Sequence, residues 1–293
     1  MFEQLVENNA RIKSSRFKAN KKCLLIPLGV TIVATIVIFP IIFFRVSSSH
    51  DYDRDPPGTS LPRKCGQRTS KSNWPWTVQI NKYDDFGWEE TIALGTLVNH
   101  RYVLTSAYAI RKHKDSYLGL SVGEPPGLHR HIVSMKFIEH ESFDFRGGIN
   151  MVLLRLDKSV EFDDHVQPIC LSWVQPEIPQ QLTINPSDKT EKLSSSSVQL
   201  VGYRDCFMLW YSNGFDTDQD SMRLHLCAKQ MNSSEHCTAL PGSPLLGVFH
   251  DNGKDRFVQY GIKHYGDCTE GLQIYTNVSF NMEWIQTTLN RYQ

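Results

Sequence analysis

Polar and apolar positions divide the chain into stretches of unlike character. Residues 1–22 are polar and basic, with nothing periodic to bury. Residues 23–44, CLLIPLGVTIVATIVIFPIIFF, run without a charge and without a polar face. Residues 45–64 are rich in Ser, Asp and Pro and hold almost nothing apolar, which predicts an extended stem. From Trp74 onward the pattern becomes short β-type runs parted by turn residues. They are WTVQI at 76–80, TIALGTLV at 91–98, YVLTSA at 102–107, HIVSMKFI at 131–138, MVLLRL at 151–156, SVQLV at 197–201, RFVQYGI at 256–262 and QIYTNV at 273–278. Many short strands without intervening helical periodicity predict an all-β sandwich or barrel. A helix is expected only at the end, over 280–292, where Trp284, Ile285 and Leu289 share a face and Ser279 or Asn281 can cap it. The segment 175–196, rich in Pro, Gln and Ser, reads as the join between two halves, and no internal repeat is visible.

The uncharged run 23–44 is long enough to cross a bilayer as a helix, which takes roughly 20 apolar residues. Arg11, Lys13, Arg16, Lys18, Lys21 and Lys22 precede it, whereas Asp51, Asp53 and Asp55 follow. Basic residues stay on the cytoplasmic side, so the expected arrangement is a cytoplasmic tail (1–22), a signal-anchor (23–44), a stem (45–64) and an extracellular or lumenal domain (65–293). The length of the run favours an anchor over a cleaved signal peptide, for which Val46-Ser47-Ser48 would be the cleavage region. Cys23, at the cytoplasmic edge, is either a palmitoylation site or an ordinary apolar thiol.

Composition adds three constraints. Apolar residues make up 40% of the 293, enough for a core. Lys plus Arg (31) balances Asp plus Glu (31), so no broad field of one sign points to nucleic acid. An outside location predicts oxidised cysteines. Six remain beyond Cys23, namely Cys65, Cys170, Cys206, Cys227, Cys237 and Cys268, and six allow 15 connectivities that spacing does not choose among. The sequons at Asn232 and Asn277 are candidate glycosylation sites. No metal and no cofactor is expected.

Across residues 65–293 the chain resembles the trypsin-like, chymotrypsin-family serine proteases. The resemblance rests on ordered landmarks: Cys65-Gly66, Trp74-Pro75-Trp76, Gly95-Thr96-Leu97, Val103-Leu104-Thr105, Val152-Leu153-Leu154-Arg155-Leu156 and Val166-Gln167-Pro168-Ile169-Cys170-Leu171, then Val198-Gln199-Leu200, Cys227-Ala228, Pro244-Leu245 and Tyr275-Thr276-Asn277-Val278 before Trp284-Ile285. It implies two packed six-stranded β-barrels with a C-terminal helix. It also implies the bridges Cys65–Cys170 and Cys237–Cys268, leaving Cys206 and Cys227 to close a loop.

The departures from that family fall on its chemistry. The family needs a nucleophilic serine, a histidine base and an aspartate that orients the histidine, with backbone N–H groups holding the oxyanion. The histidine place in Val103-Leu104-Thr105-Ser106-Ala107-Tyr108 holds Tyr108, a poor base at neutral pH. The aspartate place holds Asn150. The serine place, counted from Cys237, holds Pro241, which has neither hydroxyl nor N–H. The resemblance thus implies an inactive domain with Tyr108, Asn150 and Pro241 as degenerate triad positions. Ser243 is the one alternative nucleophile, and it lacks a neighbouring base in sequence. The activating Ile-Val-Gly-Gly segment is missing between Gly66 and Trp74, and the aspartate that would pair with its amine is Leu240. Loss of both members avoids a buried unpaired charge, worth about 3–5 kcal/mol.

The substrate pocket changes too. Its acidic base aligns with Glu235, a wall glycine with Gln273, and its tryptophan with Tyr265, while Gly266 is retained. Two arrangements follow: a residual pocket for basic side chains, or a pocket plugged by Gln273 paired with Glu235. The function expected is non-catalytic recognition of an extracellular or membrane protein, in adhesion, receptor assembly or protease regulation. The alternatives are an endoplasmic-reticulum maturation factor and a serine hydrolase that uses Ser243.

Overall fold

The computed structural model describes residues 61–62, 64–123, 135–144, 148–173, 177–184, 196–215, 222–231, 240–251, 253–266 and 272–292. The tail, the apolar run 23–44 and most of the stem lie outside them. Among the described residues no helix is long and apolar enough to cross a membrane.

Two antiparallel sheets carry the domain. The first contains β1 (Thr77–Tyr83), β2 (Glu89–Asn99), β3 (Tyr102–Thr105), β4 (Tyr117–Val122), β5 (Met135–Glu139) and β6 (Val152–Leu156), in the order β4-β1-β2-β3-β6-β5. The second contains β7 (Cys170–Leu171), β8 (Gln181–Ile184), β9 (Ser196–Leu200), β10 (His225–Gln230), β11 (Pro244–Asp251), β12 (Lys254–Tyr265) and β13 (Leu272–Asn277). Its order is β11-β8-β9-β10-β13-β12-β7, and an added β11–β12 pairing closes six of these strands into a ring. β7 lies outside that ring, parallel to β12 through Val258↔Cys170. The expected two-barrel, all-β architecture is therefore present, with one extra edge strand.

The near-continuous apolar runs have a geometric cause. Successive residues of a strand face opposite sides. In β6, Val152, Leu154 and Leu156 enter the first barrel's core with Val78, Ile80, Val103 and Leu120, while Leu153 enters a second cluster with Trp76, Leu104 and Met151. That second cluster also receives Ile262, Val278, Ile285 and Leu289 from the C-terminal half, so it joins the two barrels. The second barrel's own core gathers Leu182, Ile184, Val198, Leu245, Val258 and Tyr275. Between the barrels, the buried Thr96 hydroxyl donates to Gln259 Oε1 at 2.6 Å.

Three α-helices occur among the described residues, where only the last was expected within the domain. α1 (Ala107–Lys112) is capped by the Ser106 hydroxyl, which accepts from Ala109 N. α2 (Tyr203–Ser212) buries Cys206 and Trp210, one turn apart, in a satellite cluster with Phe215, Met222, Cys227 and Ile274. Its aromatic-rich sequence hides the helix from a propensity reading, and tertiary packing decides it. α3 (Met282–Arg291) follows a 3₁₀ turn over Ser279–Asn281. Asn281 holds the N-cap position without a side-chain cap; its amide donates instead to Asn277 O at 2.7 Å. Neither Ser279 nor Asn281 thus caps this helix by its side chain. The segment 175–196 is not wholly a join, because it contains β8.

Cys65–Cys170 bridges the start of the domain to β7, with Cα atoms 4.8 Å apart. Cys206–Cys227 ties α2 to β10, with Cα atoms 5.5 Å apart. Both match the pairings the resemblance implies. Cys237 and Cys268 lie outside the described residues, as does the sequon at Asn232.

His140, buried at the end of β5, accepts Ser142 N–H on its Nδ1 at 3.1 Å and packs its ring 4.8 Å from Trp284. Burial holds its imidazole below the ordinary value, and the neighbouring Glu141 acts in the opposite sense. A histidine whose folded value is depressed favours folding while both states are neutral. Its contribution is complete above the unfolded value of about 6.5 and is lost as pH falls through the folded value. Glu141, held below its ordinary value by its own backbone N–H first and by Trp284 among others, acts only in the lower carboxylate range. We expect stability to begin falling below about pH 6.5, and His140→Gln to flatten that first part of the curve. Denaturant unfolding midpoints measured between pH 7.5 and 5 test this, and an unchanged slope in the variant would refute it.

Candidate functional site

The wall that carries the degenerate positions begins with β3 and turns into α1. Tyr108, half-buried, is the second residue of that helix. Its backbone N–H donates to Asn150 Oδ1 at 2.7 Å, and the Ser106 hydroxyl donates to the same oxygen at 3.1 Å. Ser106 in turn accepts Ala109 N–H at 3.4 Å. Asn150 is fully buried, and its side-chain oxygen therefore serves as a remote cap for the first turn of α1. Its carbonyl accepts the Thr276 hydroxyl at 3.4 Å, which ties this wall to β13.

The amide's other end has no such role. Asn150 Nδ2 is buried and finds no acceptor among the described residues. A buried unsatisfied donor costs about 1–3 kcal/mol. A carboxylate here would accept the same two bonds and present no orphan donor. The amide keeps the capping half of a carboxylate's function and loses the ability to stabilise a cation.

Pro241 stands on the turn that leads into β11. Its carbonyl accepts Leu94 N–H at 2.9 Å, so the turn is pinned to β2 of the first barrel. Gly242 follows with φ +82 and donates its N–H to Lys263 O at 3.1 Å. Thr105, whose hydroxyl donates to Leu94 O at 2.6 Å, completes the packing beneath it.

Ser243 is wholly buried. Its hydroxyl donates to Leu240 O at 2.6 Å, its N–H donates to the same oxygen at 3.1 Å, and its carbonyl accepts Lys263 N–H at 2.9 Å. Every polar group of this serine is used to hold the turn. It has no exposed face on which an acyl group could be received, and among the described residues no histidine bonds to its hydroxyl.

At the pocket positions, Gln273 is fully buried on β13 and its Oε1 accepts the Tyr275 hydroxyl at 2.8 Å. Burial pushes the Tyr275 phenol far above its ordinary value, so it remains a donor at any physiological pH. Gly266 lies directly against this residue: a Cβ on it would sit 2.8 Å from Leu272 O and 3.1 Å from Gln273 Cα. The Gln273 side chain therefore lies inside the protein rather than open to solvent. Glu235, and with it the expected Glu235–Gln273 pair, lies outside the described residues; the Gln273 oxygen is bonded by Tyr275. Tyr265 is 37% exposed and meets Phe215 edge-on, with ring centroids 5.2 Å apart.

The segment that would carry an activating terminus is tied down. Gly66 N–H donates to Pro168 O at 2.8 Å and its carbonyl accepts Phe257 N–H at 2.7 Å, while Arg68 lies 4.7 Å from the Trp74 ring and 4.5 Å from the Phe257 ring. Trp74 and Trp76 are buried at its end. The other sequon, Asn277, is described. Its amide donates to Arg223 O at 3.3 Å and its oxygen accepts Phe280 N–H at 3.3 Å. Among the described residues no group of His, Cys, Asp and Glu is placed to hold a metal.

Sequence reasoning located Tyr108, Asn150, Pro241, Ser243 and Gln273 but overlooked Ser106, Thr105 and Tyr275. Ser106 had a readable signal, a serine just before a short helix-forming run. Thr105 and Tyr275 had none, because their partners lie on other strands.

Comparison with known proteins places residues 64–285 in the family described as Trypsin. Over 264 residues the chain is 25% identical to the serine protease grass of Drosophila melanogaster, covering 76% of this chain and 67% of that protein. It is also 25% identical over 229 residues to the inactive serine protease 54 of Rattus norvegicus, covering 74% of this chain but only 56% of that relative. Among solved structures, the Drosophila Grass clip serine protease superposes with a TM-score of 0.64 at 20% identity, covering 84% of this chain and 77% of that one. Kallikrein-related peptidase 10 superposes with a TM-score of 0.57 at 18% identity, covering 75% and 97%. At these identities the structural matches speak for the fold alone.

Proposed function

The chain belongs to the trypsin family, and from that premise we propose that it is a non-catalytic recognition protein, displayed outside the cell by a membrane-spanning segment at 23–44. The observation that carries this reading is the turn Leu240-Pro241-Gly242-Ser243. The family's nucleophile position aligns with a proline whose carbonyl is bonded to Leu94, and the next hydroxyl along the chain, on Ser243, is buried and bonded to Leu240 O. Acyl transfer requires a nucleophile, an adjacent base and oxyanion donors at one point in space. Tyr108 supplies its backbone N–H to Asn150 and offers no imidazole.

What remains is a two-barrel scaffold with surface loops on rigid elements, and such loops suit binding. A relative in the same family is itself described as inactive. The partner expected is an extracellular or membrane protein, in adhesion, receptor assembly or regulation of an active protease.

The test is covalent labelling of the full-length chain by a serine-directed fluorophosphonate, with a broad peptide-hydrolysis assay alongside. No labelling and no hydrolysis above a heat-denatured control are expected. Labelling that disappears in Ser243→Ala would overturn the reading. We further expect Ser243→Ala to lower stability by about 1–2 kcal/mol, because it leaves the Leu240 carbonyl with one bond fewer. Urea denaturation checks this, and an unchanged midpoint would mean that the hydroxyl is not structural.

A further inference from the structure

The β1–β2 hairpin ends in Asp84-Asp85-Phe86-Gly87-Trp88, and it exposes its two largest apolar side chains. Phe86 is 87% exposed and Trp88 is 77% exposed. Folded proteins seldom leave two neighbouring aromatic rings in water without a use, and tryptophan is among the residues most often decisive at interfaces. The tip is held firmly in this shape. Asp84 Oδ1 accepts Phe86 N–H at 2.9 Å and Trp88 N–H at 2.8 Å, while Asp84 N–H donates to Trp88 O at 3.1 Å. Binding there would therefore order little backbone. A third exposed ring, Tyr117 on the neighbouring β4, extends the surface through its edge contact with Tyr83 at 5.9 Å.

Charge decides what this surface fits. Asp84, Asp85, Glu89 and Glu90 bracket the rings, and Lys82 is the one basic residue between positions 82 and 90. Lys82 lies opposite Glu90 in the β1–β2 register, one pair before the loop. The loop itself, 84–88, holds no cation, and Asp85 stands beside Phe86 at its tip. Glu89 is partly engaged by Asn81. An acid-rimmed aromatic tip repels an anionic lipid surface and attracts a cation, which can lie on a ring face while a carboxylate takes its N–H groups.

We propose that the β1–β2 hairpin tip is a docking surface for a protein partner that presents arginine or lysine flanked by apolar residues. The proposal deepens the recognition reading above and rests on it.

The experiment is selection of binders from a randomised dodecapeptide library against the full-length chain in detergent micelles. Parallel selections use Trp88→Ser and Asp85→Lys, both at exposed positions, with Glu90→Lys as a second charge variant should Asp85→Lys fail to fold. Enrichment of Arg- and Lys-containing peptides is expected. Their affinity should fall about tenfold in Trp88→Ser, fall similarly in the charge variant, and weaken as salt is raised. Peptides without positive charge, peptides indifferent to both substitutions, or no selected peptides at all would each overturn the proposal. None of those outcomes bears on catalysis, which fluorophosphonate labelling tests separately. A labelled, active chain would sink the recognition reading whatever the hairpin binds.

Discussion

Gly242→Ala is expected to lower the stability of the domain by about 4 kcal/mol, the largest loss from any single methyl group added here. Two causes act together. Gly242 has φ +82, where an L side chain costs about 1–2 kcal/mol. A Cβ built there would also lie 2.0 Å from Leu94 O and 2.3 Å from Thr105 Oγ1. Neither atom can retreat cheaply. Leu94 is held in the β1–β2 pairing, and Thr105 donates to that same carbonyl. Overpacking of this kind adds about 1–3 kcal/mol. Gly253→Ala separates the two causes, since Gly253 has φ +75 with nothing within 4 Å of its would-be Cβ. It should lose only about 1–2 kcal/mol. Urea unfolding of the two variants side by side tests the argument, and equal losses would mean that the contact with Leu94 is irrelevant. The result bears on the candidate site because Gly242 holds the turn that carries Pro241 and Ser243.

The second large effect is expected at Asn150. Asn150→Ala removes the acceptor for two donors, Tyr108 N–H at 2.7 Å and the Ser106 hydroxyl at 3.1 Å, and leaves a cavity in a fully buried place. Each stranded buried donor costs about 1–3 kcal/mol, so the total should be about 3 kcal/mol, with fraying of the first turn of α1. Asn150→Asp distinguishes bonding from packing. The carboxylate keeps both bonds and removes the orphan Nδ2 donor, and these gains offset part of the cost of burying its charge. Its loss should be smaller than that of the alanine variant at pH 7. Thermal unfolding compared across the three proteins tests this. An alanine variant as stable as the parent would mean that Asn150 is a relic with no structural task.

Much of this was legible beforehand for reasons that can be named. The strand at 152–156 was readable because both of its faces are buried, one in a barrel and one between barrels, so four of its five residues are apolar; the strands at 77–83 and 89–99 were readable from their buried stretches, where Val78 and Ile80, and Leu94, Leu97 and Val98, enter the core. β4, β8, β10 and β11 were not singled out. They are short, as β8 is at four residues, or their apolar residues are diluted by Gly, Pro, Ser or charged residues, and they are strands because their neighbours supply the hydrogen bonds. α2 was invisible for the opposite reason: its rings favour strands intrinsically, and burial of Cys206 and Trp210 overrides them.

The sequence by itself determined which functional groups stand at positions 108, 150 and 241. A residue's functional groups are covalent facts, so Tyr108, Asn150 and Pro241 lack imidazole, carboxylate and hydroxyl in any fold. It also carried the trypsin-like order of landmarks, and the resemblance they carry implied the two disulfide pairings that the structure describes. Only the tertiary structure decided what the replacements do instead. That Asn150 caps α1, that Ser243 is spent on Leu240 O, that Gln273 is held by Tyr275, and that Phe86 and Trp88 stand in water depends on which distant segments come within hydrogen-bonding or van der Waals range. Such proximity arises from packing of the whole chain and is written in no single stretch of it.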